Sequence, residues 1–326
     1  MGYEVILISV QEKEALADRY LHRIQYEQKS DVYGCCIKLM TDQRLLRDTW
    51  SENLYNMSQN IRSHGRLYVF NDPGEPQDRV YYDPQSKTAF LLNVQYYGWI
   101  KSLALSVAGD MLEDEHNIYS VHGACIDNGC GGMCLLGDSG AGKTTQTYGL
   151  LRDPQVRVVS DDWFFARVFG KDILAYGSEK NFYIRADLAT IWPEFSDLVS
   201  RTELDKEGRG VVDLRWVVGK GRILPLTTLR QLLILKRDPT DPRIARRLGS
   251  EEALETLVQG SFFNPHLLVK SEFKTDLRKR FFRDLLARTR VCMVNTTGSP
   301  EESQKVILRL TNPASRVRFE NVERNP

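Results

Sequence analysis

The sequence predicts an α/β fold built on a mixed sheet, with a smaller α+β unit at its N-terminal end. Three observations carry this. Gly137-Asp138-Ser139-Gly140-Ala141-Gly142-Lys143-Thr144 satisfies G-x-x-x-x-G-K-[ST], between an apolar strand-like run (Met133 to Leu136) and a helical run (Thr144 to Leu151). Strand and helix patterns alternate after that loop, which argues for a layered fold with parallel content. Before it, short β-branched and aromatic runs are punctuated by Pro, Gly, Asn and Asp. We divide the chain into residues 1–110, an α+β unit, and 111–326, a nucleotide-binding catalytic unit, although composition does not change at the boundary.

Taken in order, Tyr3 to Val10 and Val32 to Met40 read as strands, and Asp42 to Met57 as a helix on the spacing of Leu45, Leu46, Trp50, Leu54 and Met57. Leu67 to Phe70, Val80 to Tyr82 and Thr88 to Leu92 follow, with an Asn-Asp-Pro-Gly turn after the first, and suggest an antiparallel sheet. Tyr96 to Glu115 reads as an amphipathic helix whose acidic end, Glu113-Asp114-Glu115, is expected to be solvated. Tyr119 to Asp127 reads as one strand, turning at Asn128-Gly129 into Gly132 to Leu136. Val156 to Val159 is a short strand ending in Ser160-Asp161-Asp162. Further on come a strand over Leu232 to Leu235, a capped helix from Ser250, a basic helix over Asp276 to Thr289, a core strand over Val291 to Asn295 and a helix from Ser299 to Leu310.

Across 326 residues, 44 Lys plus Arg balance 43 Asp plus Glu for a net charge of +1. That evenness excludes the broad positive footprint of a dedicated nucleic-acid binder; RNA as a substrate is not indicated by charge. Apolar residues at 42% and charged residues at 27% can bury a sizeable core. No apolar run approaches the roughly 18 residues of a membrane span, and Met-Gly-Tyr-Glu-Val lacks the pattern of a secretion signal. A cytoplasmic location is the expectation. Cys35, Cys36, Cys125, Cys130, Cys134 and Cys292 form no C-x-x-C pair; most sit in apolar, strand-like surroundings and read as buried thiols.

The loop Gly137 to Thr144, with Thr145 after it, is suited to a nucleotide's phosphates. Its glycines let backbone N–H groups close on phosphate oxygens, Lys143 reaches the β and γ phosphates, and the Thr144 hydroxyl ligates Mg²⁺. Eighteen residues after Lys143 stand Asp161 and Asp162 at a strand's end. Two carboxylates beside a Mg-nucleotide can divide two jobs, one holding the metal and the other taking a proton from an attacking hydroxyl.

His122-Gly123-Ala124, the run Leu135 to Thr145, and Val158-Val159-Ser160-Asp161-Asp162 together resemble the C-terminal catalytic domain of bacterial HPr kinase/phosphorylase. That family shares its nucleotide-binding core with ATP-dependent phosphoenolpyruvate carboxykinase. The resemblance covers roughly residues 118 to 312, more weakly through Leu229 to Arg237. It implies a P-loop mixed sheet of that type, with ATP and Mg²⁺ as cofactors. It further implies Asp162 as general base, Asp161 as metal ligand, and His122 as a site residue on the strand paired with the loop's own. The family's Leu-Glu-Ile-Arg-Gly-x-Gly signature corresponds here to the stretch Ser178 to Asp187, where Ile184-Arg185 persists but Tyr183 stands in place of the Glu and the glycines are missing; this favours a one-way kinase, with Glu179 replacing the missing metal-binding Glu by a shifted register. Arg185, Lys236 and Arg237 are candidate phosphate or substrate cations. The expected activity is γ-phosphoryl transfer to a hydroxyl, first a Ser/Thr of a protein or peptide. A small-molecule or RNA acceptor comes second, a nucleotide-dependent switch without an acceptor third, and a carboxykinase fourth. No membrane is expected as a partner; a homo-oligomer is compatible with the resemblance.

Overall fold

A seven-stranded sheet organises the first part of the chain in the computed structural model, which describes residues 4–75, 78–206, 208–260, 267–311 and 322–323. The protein is mixed α/β and divides into two compact units: Met1–Tyr119 with Ser178–Lys180 and His266–Thr275, and Ser120–Gly177 with Asn181–Pro265 and Asp276–Pro326. The elements of the first part are β1 (Val5–Leu7), α1 (Val10–Leu21), β2 (Tyr26–Val32), β3 (Cys35–Thr41), α2 (Arg44–Asn53), β4 (Tyr55–Asn56), β5 (Gly65–Phe70), β6 (Arg79–Asp83), β7 (Thr88–Leu92) and α3 (Tyr97–His116). No helix among the described residues is long and apolar enough to cross a membrane.

The first sheet runs β1-β6-β7-β5-β3-β2-β4. It is mixed rather than antiparallel: β1 lies parallel to β6, β3 to β5 and β5 to β7. The expectation failed because punctuated strands fix turn positions but not pairing; α2 with β4 between Thr41 and Gly65 supplies the long crossover that a parallel pair needs. The expected strand to Val10 also stops short. Ser9 accepts from the Glu12 amide and the Glu12 carboxylate accepts from the Ser9 amide at 2.8 Å, a capping box that starts α1.

Helix α3 is buried on nearly every side, polar positions included. Lys101 pairs with Glu179 at 3.1 Å, Ser106 donates to the Ser102 carbonyl at 2.7 Å, and Asp110 accepts from the Tyr82 hydroxyl at 2.7 Å and from Lys87 at 2.6 Å. The expected solvated end holds for Asp114 and Glu115, which are exposed, while Glu113 is buried. Asp114 pairs with Lys87 and Lys274, and Glu113 is buried 3.5 Å from Lys274. Burying Asp110 and Glu113 is tolerable because each lies beside a lysine.

Beyond α3 come β8 (Tyr119–His122), β9 (Ala124–Asp127), β10 (Gly132–Leu136), α4 (Lys143–Leu151), β11 (Arg157–Ser160), β12 (Trp163–Phe169), β13 (Asp172–Gly177) and β14 (Asn181–Arg185). The short helices α5 (Leu188–Ile191) and α6 (Ser196–Arg201), then β15 (Arg209–Asp213) and α7 (Leu214–Val218), lead to the long strand β16 (Leu226–Lys236). The chain continues through β17 (Arg243–Arg247), α8 (Ser250–Gln259), α9 (Glu272–Arg288), β18 (Arg290–Asn295), α10 (Pro300–Thr311) and β19 (Val322–Glu323). Helix α8 does begin at Ser250, but its N-cap is Gly249 and no side chain caps it.

The second sheet runs β11-β9-β10-β16-β13-β12-β8, with β18 also on β16 and β17 and β19 beyond it. Strand β16 pairs with β13 through Leu226–Leu229 and with β18 through Gln231–Lys236, while β10 lies parallel to it. Since β18 is parallel to β16 as well, β10, β16 and β18 end at the same edge of the sheet. Helices α4 and α10 contribute to a core that includes Leu135, Tyr148, Leu151, Leu233, Val294 and Ile307.

One expected strand is broken in two. Tyr119 to Asp127 divides at Gly123, and four strands of the sheet order lie between β8 and β9. A Cβ on Gly123 would stand 2.6 Å from the Leu135 carbonyl oxygen and 2.5 Å from Leu136 Cδ2. The close approach needs glycine. Gly123→Ala should lower stability by about 1–3 kcal/mol, the cost of overpacking, read as a drop in melting temperature; an unchanged melt would contradict this packing.

Candidate functional site

The glycine-rich loop is held where strand β10 gives way to helix α4. Gly137, Gly140 and Gly142 take φ of +153°, +84° and +92°, and a Cβ on Gly137 would stand 2.6 Å from the Leu235 carbonyl oxygen. Left-handed backbone at these positions turns the chain tightly before the helix, whose N-cap is Gly142. Asp138, Ser139 and Gly140 are exposed, and the helix N-terminus adds its partial positive charge. Lys143 donates to the Gly137 carbonyl at 2.6 Å and to the Asp138 carbonyl at 3.3 Å. Burial lowers its pKa below the ordinary lysine range, and the charge of Asp162 opposes that shift. Thr144 is half-buried in the first helical turn, and the Thr145 carbonyl accepts from the Trp192 indole at 2.8 Å, which ties α4 to its core.

The two aspartates differ sharply. Asp161 is 3% exposed, and its Oδ2 accepts from the Tyr183 amide of β14 at 2.8 Å. The Asp162 side chain is 35% exposed, and its Oδ1 lies 3.2 Å from His122 Nε2. Its backbone carbonyl accepts from the Gly123 amide at 2.8 Å, so the turn after β8 and the start of β12 are locked together. His122 Nδ1 is buried without a hydrogen-bond partner among the described residues. An unpaired lone pair costs less there than a stranded N–H, which assigns the imidazole proton to Nε2, facing the carboxylate.

His122 therefore reaches Asp162 by a route the sequence did not suggest. Its strand β8 pairs with β12; the strand paired with the loop's own β10 is β9. The break at Gly123 moves the histidine to the strand that begins beside Asp162.

No family model and no curated protein sequence matches this chain. Among solved structures it is similar to the HPr(Ser) kinase/phosphatase from Coxiella burnetii, at 16% identity, over 40% of this chain and 76% of that one, with a TM-score of 0.28. A likeness that slight carries no functional argument. What the site can do must come from its own residues.

The remaining candidates separate by charge balance. Glu179 is buried in the first unit, where Lys101 compensates its charge at 3.1 Å. Arg185 ends β14 exposed, 3.9 Å from Asp187. Lys236 is taken up by Asp238 at 3.0 Å and Asp241 at 2.7 Å, and Asp241 also holds Arg243. Hydrogen bonds from Thr240 and Lys236 hold the Asp238 carboxyl at about 2, well into its ionised form at neutral pH. Arg237 is exposed; its Nε donates to the Thr296 carbonyl at 3.4 Å, and no carboxylate among the described residues pairs with it. Three carboxylate, histidine or cysteine side chains do not gather anywhere among the described residues to hold a metal by themselves.

Sequence reasoning missed Asn295 and Thr296. Both are buried at the end of β18, where they bind the loops that follow β10 and β16. A signal was present: the apolar run Val291 to Val294 breaks into Asn-Thr-Thr-Gly at a strand end. Its meaning depended on knowing that β18 lies parallel to β16.

Proposed function

We propose that the protein is an ATP- and Mg²⁺-dependent kinase that transfers the γ-phosphoryl group to a hydroxyl, foremost a serine or threonine of a protein or peptide. The observation that carries this is the partly exposed Asp162 carboxylate, oriented by His122 and close enough to influence the charge of Lys143 in the glycine-rich loop. A carboxylate in that position can accept the proton of an attacking hydroxyl.

The residues fit a Mg-nucleotide. Gly137, whose α-carbon leaves no room for a Cβ, and the positive-φ Gly140 and Gly142 form a cradle for phosphates, with the Lys143 cation beside it and the Thr144 hydroxyl in the helix's first turn. When bound, Mg²⁺ supplies neutralisation of phosphate charge. Thr144 would hold it together with the nucleotide's own oxygens. Asp161 we assign to positioning in place of direct ligation, because it is buried and fixes β14 through the Tyr183 amide. Lys143 stabilises the phosphate oxygens as charge shifts between them. Asp162 takes the hydroxyl proton, and the Nε2–H of His122 holds the carboxylate in its accepting orientation.

Arg237, free of a carboxylate partner among the described residues, is the cation we place toward the phosphates; Lys236 serves its local acidic loop. Arg237→Ala should raise KM for ATP about tenfold, the worth of one charge-assisted hydrogen bond. Lys236→Ala should instead lower the melting temperature and leave KM near wild type. The reverse pattern in paired kinetics and melts would reject the assignment. The N-terminal unit, residues 1–110, we propose for acceptor binding or assembly.

The direct test is transfer of label from γ-labelled ATP to a seryl or threonyl acceptor in the presence of Mg²⁺. Hydrolysis alone would favour a nucleotide switch.

A further inference from the structure

We propose that Thr296 is a positioning residue for the nucleotide, acting through the peptide bond between Ala141 and Gly142. This rests on the nucleotide-binding function proposed above. Strands β10, β16 and β18 are parallel neighbours, so the loop after β10 lies at the edge where the other two end. Thr296, 5% exposed, directly follows β18. Its amide donates to the Lys236 carbonyl at 2.8 Å, which fixes its backbone to the end of β16. Its hydroxyl lies 2.8 Å from the Ala141 carbonyl oxygen and 3.1 Å from that of Lys236, a donor shared between two loops.

The bond to Ala141 has a directional consequence. In a planar trans peptide the C=O and the following N–H point in opposite directions. With the Ala141 carbonyl drawn toward Thr296, the Gly142 N–H is turned to the opposite side. Gly142 is the residue whose φ of +92° starts α4, so the orientation of this one peptide governs the first donor of the helix N-terminus. Thr296 thereby fixes in advance an N–H that phosphate would otherwise have to order on binding.

The support behind Thr296 is itself built. Asn295, 1% exposed, donates through Nδ2 to the carbonyls of Asp238 at 2.7 Å and Asp241 at 2.9 Å. Its Oδ1 accepts from the Asp238 amide at 3.1 Å and from the Thr297 hydroxyl at 2.6 Å. With the Thr297 amide donating to Oδ1 as well at 3.3 Å, the Asn295 amide group is saturated locally, which holds the β16 and β18 ends in one register. The Thr296 hydroxyl is the group that extends this bracing to the glycine-rich loop.

Because the aimed N–H meets phosphate in both the ground and transition states, its loss should appear in KM and spare kcat. Thr296→Val keeps the shape and removes the hydroxyl; Thr296→Ser keeps the hydroxyl. Equilibrium binding of a fluorescent ATP analogue and steady-state kinetics are measured on the full chain, with melting curves alongside. The expected result is about tenfold weaker binding and a matching rise in KM for Thr296→Val, kcat within about twofold, and near-complete rescue in Thr296→Ser. Thr296→Ala, which also lacks the hydroxyl, gives the same reading if the valine variant does not fold. Wild-type affinity in a folded variant without the hydroxyl, or an equal loss in Thr296→Ser, overturns the positioning role and leaves the kinase proposal standing. A wild-type protein that binds no nucleotide removes both.

Discussion

Asp162→Asn should slow phosphoryl transfer by about 10²–10⁴-fold, the usual contribution of a general base. Nucleotide affinity should stay within about threefold of wild type, since the group acts on the acceptor hydroxyl in the transition state. The variant is nearly isosteric, and the amide can still meet His122 Nε2 or the solvent that reaches a side chain 35% exposed. Folding should therefore survive. Asp161→Asn should behave differently, because Asp161 is buried and its Oδ2 anchors the Tyr183 amide. Its loss should register in the melting temperature as well as in turnover. Single-turnover rates and equilibrium binding on both variants separate the two roles; equal turnover in wild type and Asp162→Asn would dismiss Asp162 as the base.

Lys143→Ala is expected to lower the transfer rate by about 10²–10³-fold, the scale seen when one preorganised electrostatic contact to a developing charge is removed. Here nucleotide binding should weaken too. The Lys143 ammonium bonds the Gly137 and Asp138 carbonyls across the loop, so its removal takes away both a phosphate contact and an internal tie. Lys143→Arg should not restore activity, since a planar fork cannot replace a compact ammonium in a buried position. Isothermal titration with ATP and Mg²⁺, compared between Lys143→Ala and Asp162→Asn, would show a loss of affinity in the first and near-native affinity in the second. Unaltered binding in Lys143→Ala would contradict the cradle.

The glycine-rich loop was legible in the sequence because its motif fixes glycines at spaced positions and a lysine at the helix start; that Gly137, Gly140 and Gly142 take positive φ is what the structure adds. Helix α3 was legible as a helix from the spacing of its apolar residues, but not as one whose polar positions are buried too. The rest depended on contacts far apart in sequence. Nothing near Asp161 and Asp162 tells which will be buried, since that is settled by β14, twenty residues on, whose Tyr183 amide claims Asp161. The partner of β8 was misjudged because Gly123 reads as a residue within a strand, and only its approach to Leu135 shows it as a crossing point. Lys236 looked like a free cation until the Asp-Pro-Thr-Asp turn after it folded back with two carboxylates. At the acidic end of α3, Asp114 and Glu115 are exposed as the sequence suggested, and only the burial of Glu113 beside the distant Lys274 was not legible. The mixed pairing of the first sheet is likewise a property of the crossovers and not of the strands.

The most direct test of the central claim is to incubate wild-type protein and Asp162→Asn with γ-labelled ATP, Mg²⁺ and a fractionated lysate, and to follow the label into polypeptide, nucleic acid, small molecules and inorganic phosphate. The account predicts label on serine or threonine of a polypeptide with the wild type and none with Asp162→Asn. Label that stays in ATP, emerges only as inorganic phosphate, or enters polypeptide equally well with Asp162→Asn would contradict it.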